Sequence, residues 1–292
     1  MIAIVSHDAG GAEILSSYVK KYADQYSYVL EGPAVNVFER KLGKIHIVSL
    51  EDAILKSEKV ITGTSWQSDI EKRAISRAKS KGIKVASFLD HWVNYRERFT
   101  YKDQLVLPDE IWTGDDEAKK LAQAEFPNAK VYLLENPYFE SLQDELSLFK
   151  TKKKTEGDDL LFVCENIKDH SEREHGSPSY WGFTEEDAID FFFENIKKIT
   201  NRLNSCVFRP HPSDPSGKYD WVLKKYDFYP VQISNEKTLF EQIAQADIVL
   251  GCESMAMVMG LLAGKKTISC IPPQGKKISL PQKNIIELRH ID

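Results

Sequence analysis

Short apolar runs, separated by stretches of helical periodicity, set the layout of this chain. Residues 2–6 form a run too short for a helix, followed at once by His7, Asp8, Gly10 and Gly11. Such a run reads as a buried parallel strand. The two glycines then allow a tight turn into a helix over 12–22, with Ile14, Leu15, Tyr18 and Val19 on one face. Further strands are predicted at 28–30, 45–48, 59–61, 85–89, 110–113 and 130–134, with helices between them such as 70–79 and 116–124. Strands alternating with helices define βαβ units on a parallel sheet.

A boundary follows. A short helix is expected over 142–148, and residues 150–159 are polar and charge-rich, which suits a solvated linker. The layout is therefore a first domain over 1–141, a linker over 142–158 and a second domain over 159–292. The apolar run 160–164 opens the second domain. Residues 166–183 show no clear period and read as a long loop, a kind of segment that is often functional. Thr184 and Asp187 start a helix in the manner of a capping box, and it runs to about Leu203. A strand leads into Arg209, with a helix at 218–225, a strand at 228–231 and a helix at 237–244 after it. The strand 248–250 leads into a helix at 254–262, stopped at Gly264. The last predicted strand, 266–271, ends at Pro272 and Pro273. No internal repeat at a solenoid period is visible. The fold class is α/β, with two Rossmann-like domains.

Composition narrows the partners. In 292 residues, 42% hydrophobic and 28% charged, there is material for two soluble cores. A net charge of −5 argues against nucleic acid, which calls for a strongly basic domain. No apolar run approaches the ~20 residues that cross a bilayer. The chain opens directly on a strand, without the charged n-region of a signal peptide, so a cytoplasmic protein is expected. Peripheral membrane contact and homo-oligomerisation stay open. Cys164, Cys206, Cys252 and Cys270 form no C-x-x-C pair and read as buried reduced thiols.

Candidate chemistry gathers where strands end, as it does in open α/β sheets. Arg209 and His211 follow one strand, with Pro210 and Pro212 stiffening the backbone around the imidazole. Arg209 can clamp phosphate oxygens bidentately and His211 can donate a ring N–H to them. Ser213 and Asp214 continue the turn. Gly251, Glu253 and Ser254 follow a second strand. Ser254 is a good N-cap, and its helix start favours an anion, while Glu253 suits the hydroxyls of a ribose. Met255, Met257 and Met259 read as packing residues. In the first domain, Asp8 is a candidate general base for an acceptor hydroxyl, with His7 as the alternative; Asp8 as a helix cap is equally consistent. Gly10 and Gly11 let a ligand approach the backbone. Asp90, His91, Trp92, Asn94, Tyr95, Arg96 and Arg98 follow the 85–89 strand; they suit an acceptor wall with Trp92 exposed, or a structural turn that buries it. Residues 62–65 and 135–138 also end strands and suit the lining of the same cleft. The full G-x-G-x-x-G fingerprint is missing, which argues against a nicotinamide or flavin cofactor. His170 and His175 lack zinc spacing. No Asp-x-Asp stands at a strand end, so neither a metal nor a cofactor is expected, the nucleotide-sugar itself being the co-substrate.

The run Arg209, Pro210, His211, Pro212, the segment from Ala246 through Gly251 to Ser254, and the helix–glycine–strand from Ala263 to Ile268 together resemble a known group. They look like bacterial GT-B-fold glycosyltransferases of surface polysaccharide synthesis (capsule, lipopolysaccharide), above all the sialyltransferase-like and Kdo-transferase-like groups that carry a His-Pro motif. The resemblance implies two parallel-sheet domains facing a cleft that closes over the donor. It implies nucleotide-phosphate contacts at His211 and Ser254, and an acidic base in a first-domain loop, which falls on Asp8. The implied activity is metal-independent transfer of a sugar from a CMP- or UDP-linked donor to a glycan or lipid-linked acceptor. Alternatives are a CDP-glycerol-type glycerophosphotransferase, a sugar-nucleotide hydrolase or epimerase, or a non-catalytic nucleotide-sugar-binding protein.

Overall fold

The computed structural model describes residues 1–149 and 156–291. The chain divides into two compact units, Met1–Ser141 and Leu142–Asp292. Residues 150–155 of the expected linker, 142–158, lie outside the described residues.

Unit 1 runs β1 (Ile2–Ser6), α1 (Ala9–Lys21), β2 (Tyr26–Leu30), α2 (Pro33–Leu42), α3 (Leu50–Lys56), β3 (Lys59–Thr62), α4 (Ile70–Ser80), β4 (Lys84–Leu89), α5 (Tyr95–Phe99), β5 (Thr100–Tyr101), β6 (Gln104–Leu105), β7 (Glu110–Thr113), α6 (Asp116–Glu125) and β8 (Val131–Leu133), and α7 (Pro137–Ser147) spans the boundary in sequence. Its main sheet has the order β2-β1-β3-β4-β7-β8, parallel throughout. The strand order reverses between β1 and β3. Both faces are covered: Ile4, Leu15, Phe38, Ile61 and Phe88 form one core, and Val5, Val60, Ile75, Phe99 and Ile111 form the other. Burial on both faces is why these strands read as continuous apolar runs.

Unit 2 continues with β9 (Asp158–Val163), α8 (Ile167–His175), α9 (Glu185–Glu194), α10 (Ile196–Ile199), β10 (Leu203–Arg209), α11 (Asp220–Lys225), β11 (Val231–Ile233), α12 (Leu239–Gln245), β12 (Ile248–Gly251), α13 (Met255–Leu262), β13 (Lys266–Ser269) and β14 (Ile285–Glu287). Its order is β11-β10-β9-β12-β13-β14, again all parallel. Renumbered within the unit this is 3-2-1-4-5-6, the doubly wound Rossmann order, with its switch point between β9 and β12. The α/β fold class with two parallel sheets is therefore observed. No described helix is long and apolar enough to cross a membrane.

Several element expectations are corrected. Residues 45–48 form no strand; a single bridge pairs Ile47 with Tyr28. The expected loop 166–183 contains α8. That helix buries only Ile167 and Ser171, so its sequence carries no apolar stripe to announce it. The 142–148 segment is the tail of α7. The strand placed at 228–231 lies at Val231–Ile233. The short hairpin β5–β6, the edge strand β14 and helices α2 and α3 were not resolved by the pattern.

The helix-side core of unit 2 is aromatic. Phe208 is fully buried, stacked on Phe162 at 4.9 Å and on Phe193 at 5.9 Å between ring centroids. Phe208→Ala is expected to lower unfolding free energy by ~3–5 kcal/mol in urea denaturation. A loss below ~1 kcal/mol would contradict this packing.

Candidate functional site

The switch point of unit 2 is built around one carboxylate. Glu165 stands just beyond the end of β9. Its Oε1 accepts the backbone N–H groups of Cys252 at 2.7 Å, Glu253 at 2.9 Å and Ser254 at 3.2 Å. These are the amides between β12 and α13, where a helix presents unpaired donors and partial positive charge. A Cβ at Gly251 would sit 3.2 Å from the Val163 carbonyl and 3.3 Å from Glu165 Oε1, so glycine makes room for this contact. Burial pushes the Glu165 carboxyl up to about 7, although the three amides pull it down. Ser254 holds the N-cap position of α13, but its side chain caps nothing. Its Oγ is buried with no hydrogen-bond partner among the described residues.

His211 lies on the neighbouring strand end. Its backbone N–H donates to Asp214 Oδ2 at 2.7 Å. Asp214 also takes Lys218 Nζ at 2.7 Å and the Tyr219 hydroxyl at 3.1 Å. The ring Nδ1 accepts the backbone N–H of Ser213 at 3.2 Å and lies 2.7 Å from Ser213 Oγ. An Nδ1 that accepts an amide proton places the neutral ring's hydrogen on Nε2, which is then free to donate. His211, Ser213, Glu253 and Ser254 line one hollow of about 340 Å³, together with Glu165, Asn166, Ile167, His170, Arg173 and Trp181. The structure thus brings together, at one hollow, four of the six residues expected to contact the nucleotide or its phosphate: His211, Ser213, Glu253 and Ser254.

The other two do not join them. Arg209 donates instead to the Lys237 carbonyl at 2.8 Å and to Gln242 Oε1 at 2.7 Å. Strand alternation explains this: Cys206 and Phe208 occupy the aromatic core, which turns Arg209 to the opposite face. Pro212 is exposed and shapes the turn only. Glu253 lines the hollow, but its carboxylate is paired with Lys276 and accepts the Ser279 backbone N–H at 2.9 Å. It anchors the loop after β13. Met257 and Met259 are buried, as expected of packing residues.

In unit 1, His7 and Asp8 form a pair, Nδ1 to Oδ1 at 2.7 Å, and Ser65 Oγ donates to the same oxygen at 2.8 Å. The pair sits at the β1/β3 switch point. Beneath it, the His7 backbone N–H donates to Glu71 Oε1 at 2.8 Å. Gly32, at φ +53°, leaves space for the His7 ring: a Cβ there would lie 2.6 Å from Nε2. Gly10 and Gly11 serve protein packing, since a Cβ at Gly10 would collide with the Asp90 carboxylate and one at Gly11 would lie 3.2 Å from Gly63 Cα.

The acceptor wall is corrected. Trp92, Tyr95 and Arg98 are buried. Arg98 pairs with Asp90 at 2.7 Å and donates to the Thr64 carbonyl at 2.9 Å, while Trp92 Nε1 donates to Asp115. This is the buried-turn alternative. Asn94 is exposed in a left-handed conformation at φ 57°, and the His91 ring packs edge-on against Trp92. Glu165, Glu71, Arg173 and Trp181 escaped the sequence reading. Glu165 carried one usable signal: an acid directly after the apolar run 160–164. Among the described residues, no group of three or more His, Cys, Asp or Glu is placed to hold a metal.

No protein-family model matches the sequence, and no curated protein matches it. Solved structures do match in fold. The UDP-GlcNAc 2-epimerase from Methanocaldococcus jannaschii is similar over 92% of this chain and 83% of that one, at 12% identity and TM-score 0.56. The Neisseria meningitidis enzyme of that name, bound to UDP-GlcNAc, is similar over 96% and 84%, at 12% identity and TM-score 0.55. The glycotransferase of kitacinnamycin is similar over 92% and 79%, at 12% identity and TM-score 0.51. At these identities the likeness establishes the fold: two α/β units on parallel sheets, of the GT-B kind.

Glu71 generates a pH test. It is 1% exposed, and burial pushes its carboxyl to about 7 from an ordinary 4.5. Between those values the folded state holds the proton more tightly, so stability falls as pH rises through this window. The penalty above pH 7 is at most roughly 3 kcal/mol. Glu71→Gln keeps an acceptor for the His7 N–H and removes the titration. Relative to wild type it is expected to gain stability between pH 4.5 and 8, read by urea denaturation at both; an unchanged difference would contradict the assignment.

Proposed function

We propose that this protein is an enzyme acting on a nucleotide-sugar, UDP- or CMP-linked, and that it transfers the sugar to a glycan acceptor without a metal. One observation carries the reading: His211 and Ser254, from the ends of two strands, line a single hollow at the switch point of unit 2. A donor-ready imidazole Nε2 and an unpartnered buried hydroxyl suit phosphate oxygens. The fold likeness to a structure bound to UDP-GlcNAc over 96% of this chain supports the same ligand class.

In this reaction the acceptor oxygen attacks the anomeric carbon and the bond from that carbon to the phosphate oxygen breaks. The acceptor proton passes to Asp8, with His7 paired to it, and the departing phosphate gathers negative charge. His211 Nε2–H and the Ser254 hydroxyl stabilise that charge where it develops. The finer placement, in surface polysaccharide synthesis with a His-Pro motif, rests on the sequence resemblance.

A second reading, epimerisation of a UDP-sugar, is favoured by the similarity to two UDP-GlcNAc 2-epimerases. It also suits the cluster of Asp8, His7 and the raised Glu71 carboxyl, since epimerisation both removes and returns a proton. Product analysis separates the two. Transfer consumes donor only with an acceptor present, whereas epimerisation yields a new UDP-sugar without one.

His211→Ala is expected to lower turnover of UDP-GlcNAc, or of whichever donor the wild type accepts, by about 100-fold at unchanged thermal stability. Full turnover in this variant would remove His211 from the chemistry.

A further inference from the structure

Helix α8 presents a row of polar side chains to the hollow. Asn166, at its N-cap, His170 and Arg173 stand at i, i+4 and i+7, so they share one face. The helix is firmly seated. Ile167 packs in a core with Phe183, Ala188, Cys252 and Ile271. The Lys168 N–H donates to Glu185 at 2.9 Å, Ser171 Oγ donates to the Ser177 carbonyl at 2.8 Å, and Gly176 ends the helix at φ 70°.

The charges around the hollow are nearly all engaged. Glu165 is held by three amides, and Glu253 by Lys276 and Ser279. Lys276 also lies 4.0 Å from the Trp181 ring centroid. Lys218 is paired with Glu185 and Asp214, and Lys168 with Glu186. His170 is paired with Glu174 at 2.8 Å. Arg209 faces the other side of its strand. Arg173 lines the hollow and makes no ion pair or hydrogen bond among the described residues. The other cations near the hollow are already paired with protein acids, so an anionic ligand needs one that is not. A guanidinium supplies it in a form that fits two phosphate oxygens at once.

We infer that Arg173 is the cation that grips the diphosphate of the nucleotide, the role the sequence suggested for Arg209. This rests on the nucleotide-sugar reading of the same hollow and adds a specificity residue to it. Arg173 then favours nucleoside diphosphates over nucleosides, and α8 is part of the ligand-binding wall.

The test is calorimetric titration of the full chain with UDP, uridine and CMP, at low and moderate salt. Wild type is expected to bind UDP more tightly than uridine, with the preference shrinking as salt rises. Arg173→Ala is expected to weaken UDP by about tenfold or more, the loss of a charge-assisted contact, and to leave uridine unchanged. Arg173→Lys should fall between, keeping charge but losing the planar fork. Arg209→Ala should leave UDP affinity within about twofold, since its hydrogen bonds lie within the protein. If Arg173→Ala binds UDP as wild type does, the inference is overturned and the nucleotide reading stands. If wild type binds none of UDP, uridine and CMP, both are overturned; if it binds CMP but not UDP, the diphosphate role of Arg173 is overturned and the nucleotide reading stands.

Discussion

A single carboxylate closes the centre of unit 2. Glu165 binds three successive backbone N–H groups at the start of α13 and so ties the end of β9 to the end of β12 across the switch point. Together these bonds satisfy the backbone donors of Cys252, Glu253 and the N-cap residue Ser254. The Ser254 side chain caps no helix amide, and its hydroxyl lies beside the hollow with no hydrogen-bond partner among the described residues. The side chains on which the proposed phosphate site rests, His211, Ser254 and Arg173, all line the hollow.

Unit 1 uses the same device at its own switch point. Glu71, buried in α4, takes the N–H of His7 just past the end of β1. Next to it, Asp8 accepts from both His7 and Ser65. In each unit a carboxylate held near neutrality by burial sits under a strand end that carries a histidine or a serine. Groups with raised pKa values gather at functional sites because burial and specific hydrogen bonds are both strongest there. The two units thus arrive independently at polar, strand-end sites of the kind the doubly wound sheet favours.

The sheet was legible because its strands are buried on both faces, and continuous apolar runs announce such strands directly. Asp8, His211, Glu253 and Ser254 were legible because each follows such a run. Other parts of the site left no such mark. α8 has too little apolar surface to show a period, yet it supplies Asn166, His170 and Arg173. Arg209 was assigned by position in the chain, while the alternation of Cys206 and Phe208 already placed it on the other face. Trp92 and Arg98 were ambiguous in sequence, because the Asp115 and Asp90 that satisfy them in the interior are identified only by tertiary contact. Glu165 had a strand end to mark it, but its amide partners lie 87 to 89 residues away.

The central claim is that the hollow at the β9/β12 switch point is a nucleotide site. A crystal structure of the protein grown with UDP tests it most directly. The account predicts the diphosphate within hydrogen-bond distance of His211 Nε2 and Ser254 Oγ, with Glu165 still on its three amides. UDP bound elsewhere, such as in the hollow lined by Asp159, Gln232 and Gln245, would contradict it.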